Sequence, residues 1–335
     1  MQARPPLLDS SSHAREVEVI SLRLAETEET LRSAIRQRNL YFRVSVLGSC
    51  NLNCPFCHNE GGPKKGKLDL AFALRAILVA RELGFERVQF TGGEPLLHPR
   101  IPEFIAGARR IVGDVGVTTN GTYLKSKLDS LVAAGLSRIH ISLQAESLRV
   151  RPDADHWTIP SWLAPVLNLG RDGVLSVRLN LPVPVSDLQI VRAFLVELSP
   201  FQCDVNLFSI LPRDHCPTEM NSTFVLGQLA ADENARRRSN SIGGHIFVRG
   251  YRPPTGIRCT NCADRNLCKE QSHSLRLGAD SVLRPCLATR RWDIRITDEN
   301  LRSGMEAASL LALDYWWPSP IPKSVSRARV STISY

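Results

Sequence analysis

Cys50, Cys54 and Cys57 lie in the run VSVLGSCNLNCPFCHNEGG with the spacing Cys-x3-Cys-x2-Cys. Three thiolates within eight residues form a soft-ligand face for a transition metal. Structural zinc takes four protein ligands in a closed tetrahedron, and His58, next to Cys57, is too close to fold back easily onto the same ion. Three cysteines with an open position suit a four-iron cluster better, because its fourth iron stays free for an outside ligand. Spacing alone leaves zinc open. A second group runs Cys259-x2-Cys262-x5-Cys268, with Cys286 after seventeen further residues. Four cysteines that include a Cys-x2-Cys pair suit a zinc ribbon or an auxiliary iron–sulfur site. The other two of the nine stand alone. Cys203, in the β-rich segment CDVNLFSIL, reads as a small buried hydrophobe. Cys216, in a Pro-flanked loop, carries no assigned chemistry.

An odd number of cysteines without an export signal argues against a disulfide framework and for thiolates working in a reducing cytoplasm. The first 15 residues hold no apolar signal core. No apolar run reaches the roughly 18 residues of a membrane span. With 335 residues, 43% hydrophobic and 22% charged, the composition is that of a globular protein with a sizeable core. The net charge of +9 comes from 42 basic residues, 35 Arg and only 7 Lys. Arginine grips phosphate and carboxylate bidentately, so the balance suits a small anionic substrate. Nucleic-acid binding fits poorly, because the arginines are dispersed, aromatics are only 6% and no basic helix stands out.

The elements that must position these cysteines alternate between strand and helix. Strands are predicted at Tyr41–Leu47, Arg87–Phe90, Val115–Thr119, Arg138–Leu143, Val174–Leu181 and Asp204–Ile210. Helices fall between them at Leu68–Leu83, Ile101–Ile111, Tyr123–Ala134, Trp162–Leu169 and Ser186–Leu198. Six strands with crossover helices predict an α/β fold, a partial (β/α)6 TIM barrel, with a polar or glycine-rich cluster at each strand end where barrel active sites are built. The expected division is an N-terminal helical segment over 1–40, with Leu24, Leu31 and Ile35 striped to pack on the barrel, and the barrel itself over 41–211. A cysteine-bearing auxiliary extension over 212–317 and a flexible basic tail over 318–335 follow.

Read in order, the strand-end motifs resemble those of radical S-adenosylmethionine enzymes. The first cysteine group follows the first strand. Gly92-Gly93-Glu94-Pro95 after the second is similar to the GGE motif that holds the amino group of S-adenosylmethionine. Thr118-Thr119-Asn120-Gly121 resembles the TTNG of one subgroup, and Ser142 a serine that follows the fourth strand. Arg178-x-Asn180 resembles a basic-x-Asn pair whose basic residue meets the cofactor carboxylate. Phe56 stands where the family often has an aromatic that packs by the adenine. The resemblance implies a radical-generating 4Fe-4S cluster on Cys50, Cys54 and Cys57. It also implies S-adenosylmethionine held by Gly92, Gly93, Glu94, Thr119, Asn120, Ser142, Arg178 and Asn180, and one-electron cleavage to a 5′-deoxyadenosyl radical. A reductant such as flavodoxin or ferredoxin is implied as partner.

Within that superfamily, LRLGADSVLRPCL over Leu275–Leu287 is similar to a segment of the GTP 3′,8-cyclase (molybdenum cofactor biosynthesis protein A) branch. There a Cys-x2-Cys pair and a later cysteine bind a second 4Fe-4S cluster, positions filled here by Cys259, Cys262 and Cys286. Cys268 adds a fourth thiolate, as in twitch or SPASM-like auxiliary regions. Arg43 and Arg276 match arginines near the substrate and its triphosphate. Three features depart from the cyclase: Ser274 replaces the first of two paired arginines, Cys268 sits in a longer insertion, and the chain ends Thr332-Ile333-Ser334-Tyr335, not Gly-Gly. On these departures the expected substrate is a small polar nucleotide, nucleoside or sugar derivative in specialised-metabolite or antibiotic biosynthesis. GTP cyclisation is the alternative. Ribosomal-peptide modification is a further one, disfavoured because the 40 residues before the first strand are too few for a peptide-recognition domain.

Overall fold

The computed structural model describes residues 28–54, 57, 60, 62–143, 158–183, 188–209, 219–239, 244–248, 274–286 and 293–314. Its strands are β1 (Tyr41–Leu47), β2 (Arg87–Gly92), β3 (Asp114–Thr119), β4 (Arg138–Ser142), β5 (Ser176–Val183) and β6 (Cys203–Ser209), then β7 (Ile246–Val248), β8 (Ser274–Leu277), β9 (Val282–Arg284) and β10 (Ile294–Arg295). Helices are α1 (28–37), α2 (Leu70–Glu82), α3 (Ile101–Arg109), α4 (Leu124–Ala133), α5 (Ala164–Arg171), α6 (Leu188–Glu197), α7 (Glu219–Ser239) and α8 (Leu301–Asp314).

One sheet contains all ten strands, in the order β10-β9-β8-β1-β2-β3-β4-β5-β6-β7. From β8 across to β7 every neighbouring pair is parallel, while β9 and β10 turn antiparallel. The six predicted strands are all present as a curved, mostly parallel α/β sheet of TIM-barrel type. The difference is at the edges, where β7 and β8 extend it beyond six. Strands of three and four residues are too short to show a periodicity, and only pairing in space reveals them.

Side-chain alternation divides each strand. In β1, Phe42, Val44 and Val46 are fully buried against the helices, whereas Arg43 and Ser45 line the inner face. Each such apolar side chain stabilises the fold by about 1.5–3 kcal/mol. Helix α2 starts at Asp69, whose Oδ1 accepts from the Phe72 N–H at 2.9 Å, and buries Ala73, Ala76, Ile77 and Ala80 as one stripe. Gly84, at φ +104°, lets the chain leave α2 where a Cβ would sit 2.8 Å from the Arg32 carbonyl oxygen of α1. Leu31 and Ile35 of α1 are buried, as their striping predicts, and Leu24 lies outside the described residues. Cys203 is 1% exposed at the start of β6, an apolar core position as expected. Cys216 lies outside the described residues.

The floor of the inner face is polar and internally satisfied. Arg138 donates to Gln89 Oε1 at 2.9 Å, pairs with Asp114 and lies over the Tyr41 ring. Gln89 in turn donates to Thr118 Oγ1 at 2.9 Å. Gly116 makes this possible, because a Cβ there would meet Gln89 Oε1 at 2.1 Å. A buried network with its members paired is rigid, and it supports whatever binds above it.

Candidate active site

The cysteine loop leaves β1 and is stitched to the glycine turn after β2. The Gly93 N–H donates to the Leu47 carbonyl at 2.7 Å and the Glu94 N–H to the Ser49 carbonyl at 2.9 Å. This approach needs residues without side chains. A Cβ on Gly92 would lie 2.2 Å from Leu47 O, and one on Gly93 would lie 2.1 Å from Ser49 O. Within the loop the Cys57 N–H donates to Cys54 O at 3.1 Å. Cys50 and Cys57 are exposed and Cys54 is half-buried. Two donors face the Cys50 sulfur, the Leu52 N–H at 3.4 Å and Asn120 Nδ2 at 3.8 Å.

Glu94 is 1% exposed and ties three loops together. Its Oε1 accepts from the Leu96 N–H at 2.9 Å and the Thr119 hydroxyl at 2.7 Å, and its Oε2 accepts from the Asn120 N–H at 2.8 Å. Burial raises its pKa above the ordinary carboxylate value, and these three bonds oppose the rise. A carboxylate has about four acceptor directions, so one remains, on Oε2. Asn120 reaches the other way, from its Nδ2 to Asn51 Oδ1 at 2.9 Å, so the turn after β3 is anchored to the cysteine loop.

On the far side, Ser142 and Asn180 are paired residues on β4 and β5, both half-buried. Arg178, two residues earlier on the same face, donates to Asp204 Oδ2 at 2.8 Å and lies over the Phe247 ring. Its buried Nε has no hydrogen-bond partner among the described residues. Asp204 and Phe247 are site residues that sequence reading missed. Each sits on a strand paired in space with its neighbour, and no local motif marks either.

The neighbouring strands β1 and β8 bring Arg43 and Arg276 directly opposite each other. Glu60, three residues past Cys57, links them. It accepts from Arg43 Nε at 2.5 Å and Nη2 at 2.7 Å, and lies 3.5 Å from Arg276 Nε. The Ser45 hydroxyl donates to the Glu60 carbonyl at 3.3 Å, fixing its backbone to β1. Sequence reading missed Glu60 too, although its place in HNEGG beside the cysteines was a usable signal.

The radical SAM superfamily profile matches residues 44–160. The GTP 3′,8-cyclase of Heliobacterium modesticaldum is 30% identical over 277 residues, covering 75% of this chain and 81% of its own. That of Thermodesulfovibrio yellowstonii is 28% identical over 299 residues, covering 80% of this chain and 87% of its own. The chain belongs to the radical SAM superfamily. Among solved structures, Streptococcus suis SuiB bound to S-adenosylmethionine superposes with a TM-score of 0.58 at 13% identity, over 98% of this chain and 74% of that one. That likeness speaks for the fold alone.

Membership of the radical SAM superfamily brings a 4Fe-4S cluster and S-adenosylmethionine, and the residues present fit both. Among the described residues, no three His, Cys, Asp or Glu side chains converge on a single-ion site. Thiolates that each bind a different iron of one cluster need not converge in that way. The glycine turn lies so close to the cysteine loop that no Cβ fits between them. One acceptor direction on Glu94 Oε2 and the buried Arg178 Nε have no hydrogen-bond partner among the described residues, as polar groups awaiting an ammonium and a carboxylate would. Phe56, Cys259, Cys262 and Cys268 lie outside the described residues. Cys286 is half-buried just past β9, on the hairpin whose first strand carries Arg276.

Glu60 places one carboxylate between two guanidiniums in a region that is mostly buried, with side chains 17%, 22% and 7% exposed for Glu60, Arg43 and Arg276. Glu60→Gln is expected to cost about 1–3 kcal/mol of stability, because two positive groups lose their shared partner. A lower urea midpoint would report this loss, and added tripolyphosphate should restore part of it. An unchanged midpoint would show that the trio contributes nothing to the fold.

Proposed function

We propose that this radical SAM enzyme acts on GTP or a closely related purine nucleotide, closing a bond within it in the manner of its cyclase relatives. When bound, the cluster and S-adenosylmethionine supply reductive cleavage of a sulfonium C–S bond and a carbon radical that abstracts hydrogen. The chain's own residues orient and enclose. Cys50, Cys54 and Cys57 would hold the cluster, Glu94 Oε2 would accept from the cofactor ammonium, and Arg178 would donate to its carboxylate. Ser142 and Asn180 offer polar groups on the same inner face.

The observation that carries the substrate reading is the in-register pair Arg43 and Arg276, which sets two guanidiniums side by side with Glu60, three residues past Cys57. Guanidinium groups grip phosphate bidentately, so a pair of arginines held in register suits a nucleotide phosphate. Cyclases that match four-fifths of the chain support this over the specialised-metabolite substrate expected from the three departures. The second reading keeps one specific support. Ser274, where the cyclase pattern has arginine, is 4% exposed, so no guanidinium stands there. A second 4Fe-4S cluster on Cys259, Cys262, Cys268 and Cys286 belongs to the same proposal; of these, Cys286 follows β9.

Anaerobic incubation of the reconstituted protein with GTP, S-adenosylmethionine and dithionite tests the reading. The expected products are 5′-deoxyadenosine and 3′,8-cyclo-GTP, with Arg276→Ala weakening GTP use by roughly tenfold or more while sparing S-adenosylmethionine binding. Formation of 5′-deoxyadenosine with no consumption of GTP would reject GTP and leave the second reading standing.

A further inference from the structure

Lysine is scarce in this chain, 7 residues against 35 arginines, and its placement is uneven. Lys64, Lys65 and Lys67 fall within four residues and are all exposed. Their segment is fastened beside the cysteine loop, since the Gly48 N–H donates to Gly66 O at 2.8 Å and Lys67 bridges to Leu47 at the end of β1. Lys125 and Lys127 lie on the first turns of α4, which follows the Asn120–Thr122 turn bonded to Asn51. Lys67 and Lys127 also act on the same buried group. After burial itself, the charge of Lys67 is the largest influence holding the His98 imidazole below its ordinary pKa, and Lys127 adds to it. Five of the seven lysines therefore belong to two segments that flank the cysteine loop, one bonded to Leu47 and Gly48 and one following the turn bonded to Asn51.

The two cations are used differently. Among the described residues every ion pair is made by an arginine and none by a lysine. Carboxylates near the lysine segment are engaged elsewhere: Asp69 caps α2, Glu60 holds Arg43, and Asp280 holds Arg284. Lysine ammonium groups on flexible stems are strongly hydrated point charges, suited to long-range attraction and fast release more than to a rigid clamp. On the cysteine loop itself, between Cys50 and Cys54, Leu52 is 38% exposed. An exposed apolar point on a loop flanked by lysines that make no ion pair among the described residues has the composition of a small transient interface.

We propose that the lysine rim of Lys64, Lys65, Lys67, Lys125 and Lys127 around Leu52 is the docking surface for an acidic one-electron carrier protein. The inference rests on the radical SAM reading and deepens it. In each encounter one electron leaves the reduced carrier and enters the cluster, which is reduced by one as the carrier is oxidised by one. No covalent bond of this chain forms or breaks, and no proton need move.

The test compares two reductants on the reconstituted full chain and on K64E/K65E/K67E, which turns three positive charges into three negative ones. Dithionite, a small diffusible reductant, needs no docking surface and should drive 5′-deoxyadenosine formation in the variant to within about twofold of the parent. Flavodoxin hydroquinone, an acidic carrier, should drive it roughly ten to a hundred times more slowly in the variant at low salt. Titration of oxidised flavodoxin onto the parent should give an affinity that falls as salt rises, and this dependence should be lost in the variant. Equal rates with flavodoxin hydroquinone, or salt-independent binding, would overturn the proposal. Loss with both reductants would overturn it as well, by assigning the lysines to the integrity of the cysteine loop; K125E/K127E, on a separate element, then checks the other half of the rim by the same ratio. A parent inactive with dithionite would instead refute the radical chemistry, a distinct failure.

Discussion

Cys54→Ala is expected to abolish cleavage of S-adenosylmethionine, with 5′-deoxyadenosine formation falling roughly a thousandfold or more, equivalent to about 4 kcal/mol of barrier. The three thiolates act as a unit. Cys54 sits midway, its carbonyl accepting from the Cys57 N–H, so the variant loses an iron ligand without losing that turn. Two thiolates cannot retain a four-iron cluster against solvent and oxidant, and no other cysteine follows within the loop. Iron analysis gives an independent readout. With a second cluster on the auxiliary cysteines, iron should fall from about eight to about four per chain; with none, from about four to near zero. Undiminished 5′-deoxyadenosine from the variant would remove Cys54 from the cluster.

Gly93→Ala is expected to be nearly as damaging, though it touches no ligand and adds one methyl group. The new Cβ would lie 2.1 Å from the Ser49 carbonyl oxygen, 2.4 Å from its carbon and 2.7 Å from Gly48 O. All three are backbone atoms, so no side chain can swing aside. Either the Gly93 N–H to Leu47 bond or the Glu94 N–H to Ser49 bond must break, each worth about 1 kcal/mol, on top of about 1–3 kcal/mol of overpacking. Glu94 would then be displaced from Thr119 and Asn120, which share its carboxylate. We expect S-adenosylmethionine affinity to weaken by about a hundredfold, close to 2.7 kcal/mol, measured by equilibrium dialysis on the reconstituted protein. Parental affinity would show that the glycine turn can move away from the cysteine loop without consequence. Gly93 differs here from Gly92, which needs its glycine twice over: a Cβ would strike Leu47 O, and φ is +150°.

Much of the barrel was legible along the chain because strands and helices of ordinary length carry their own periodicity. Phe42, Val44 and Val46 alternate with Arg43 and Ser45, and Ala73, Ala76, Ile77 and Ala80 recur at helical spacing. The cysteine spacing, the glycine turn and the Thr119–Asn120 turn were legible because each is local, a few residues whose types suffice. Asp204 and Phe247 were not, because each takes its role from a partner on another element, and for Glu60 its place beside the cysteines in HNEGG was the one local signal.

The order of motifs along the chain was enough to determine the chemistry class: thiolates for a cluster, a glycine turn, and polar groups at successive strand ends. Residue type and short spacing set those properties, and neither depends on how distant segments meet. Tertiary structure alone decided that β8 lies beside β1, which sets Arg276 opposite Arg43 across more than two hundred residues of chain. It also decided that Glu60 closes that pair, that Glu94 is buried as a tie between three loops, and that the Lys64–Lys67 segment is fastened beside the cysteine loop. Charge pairing and burial depend on distance in space, and strand pairing sets that distance where sequence separation does not.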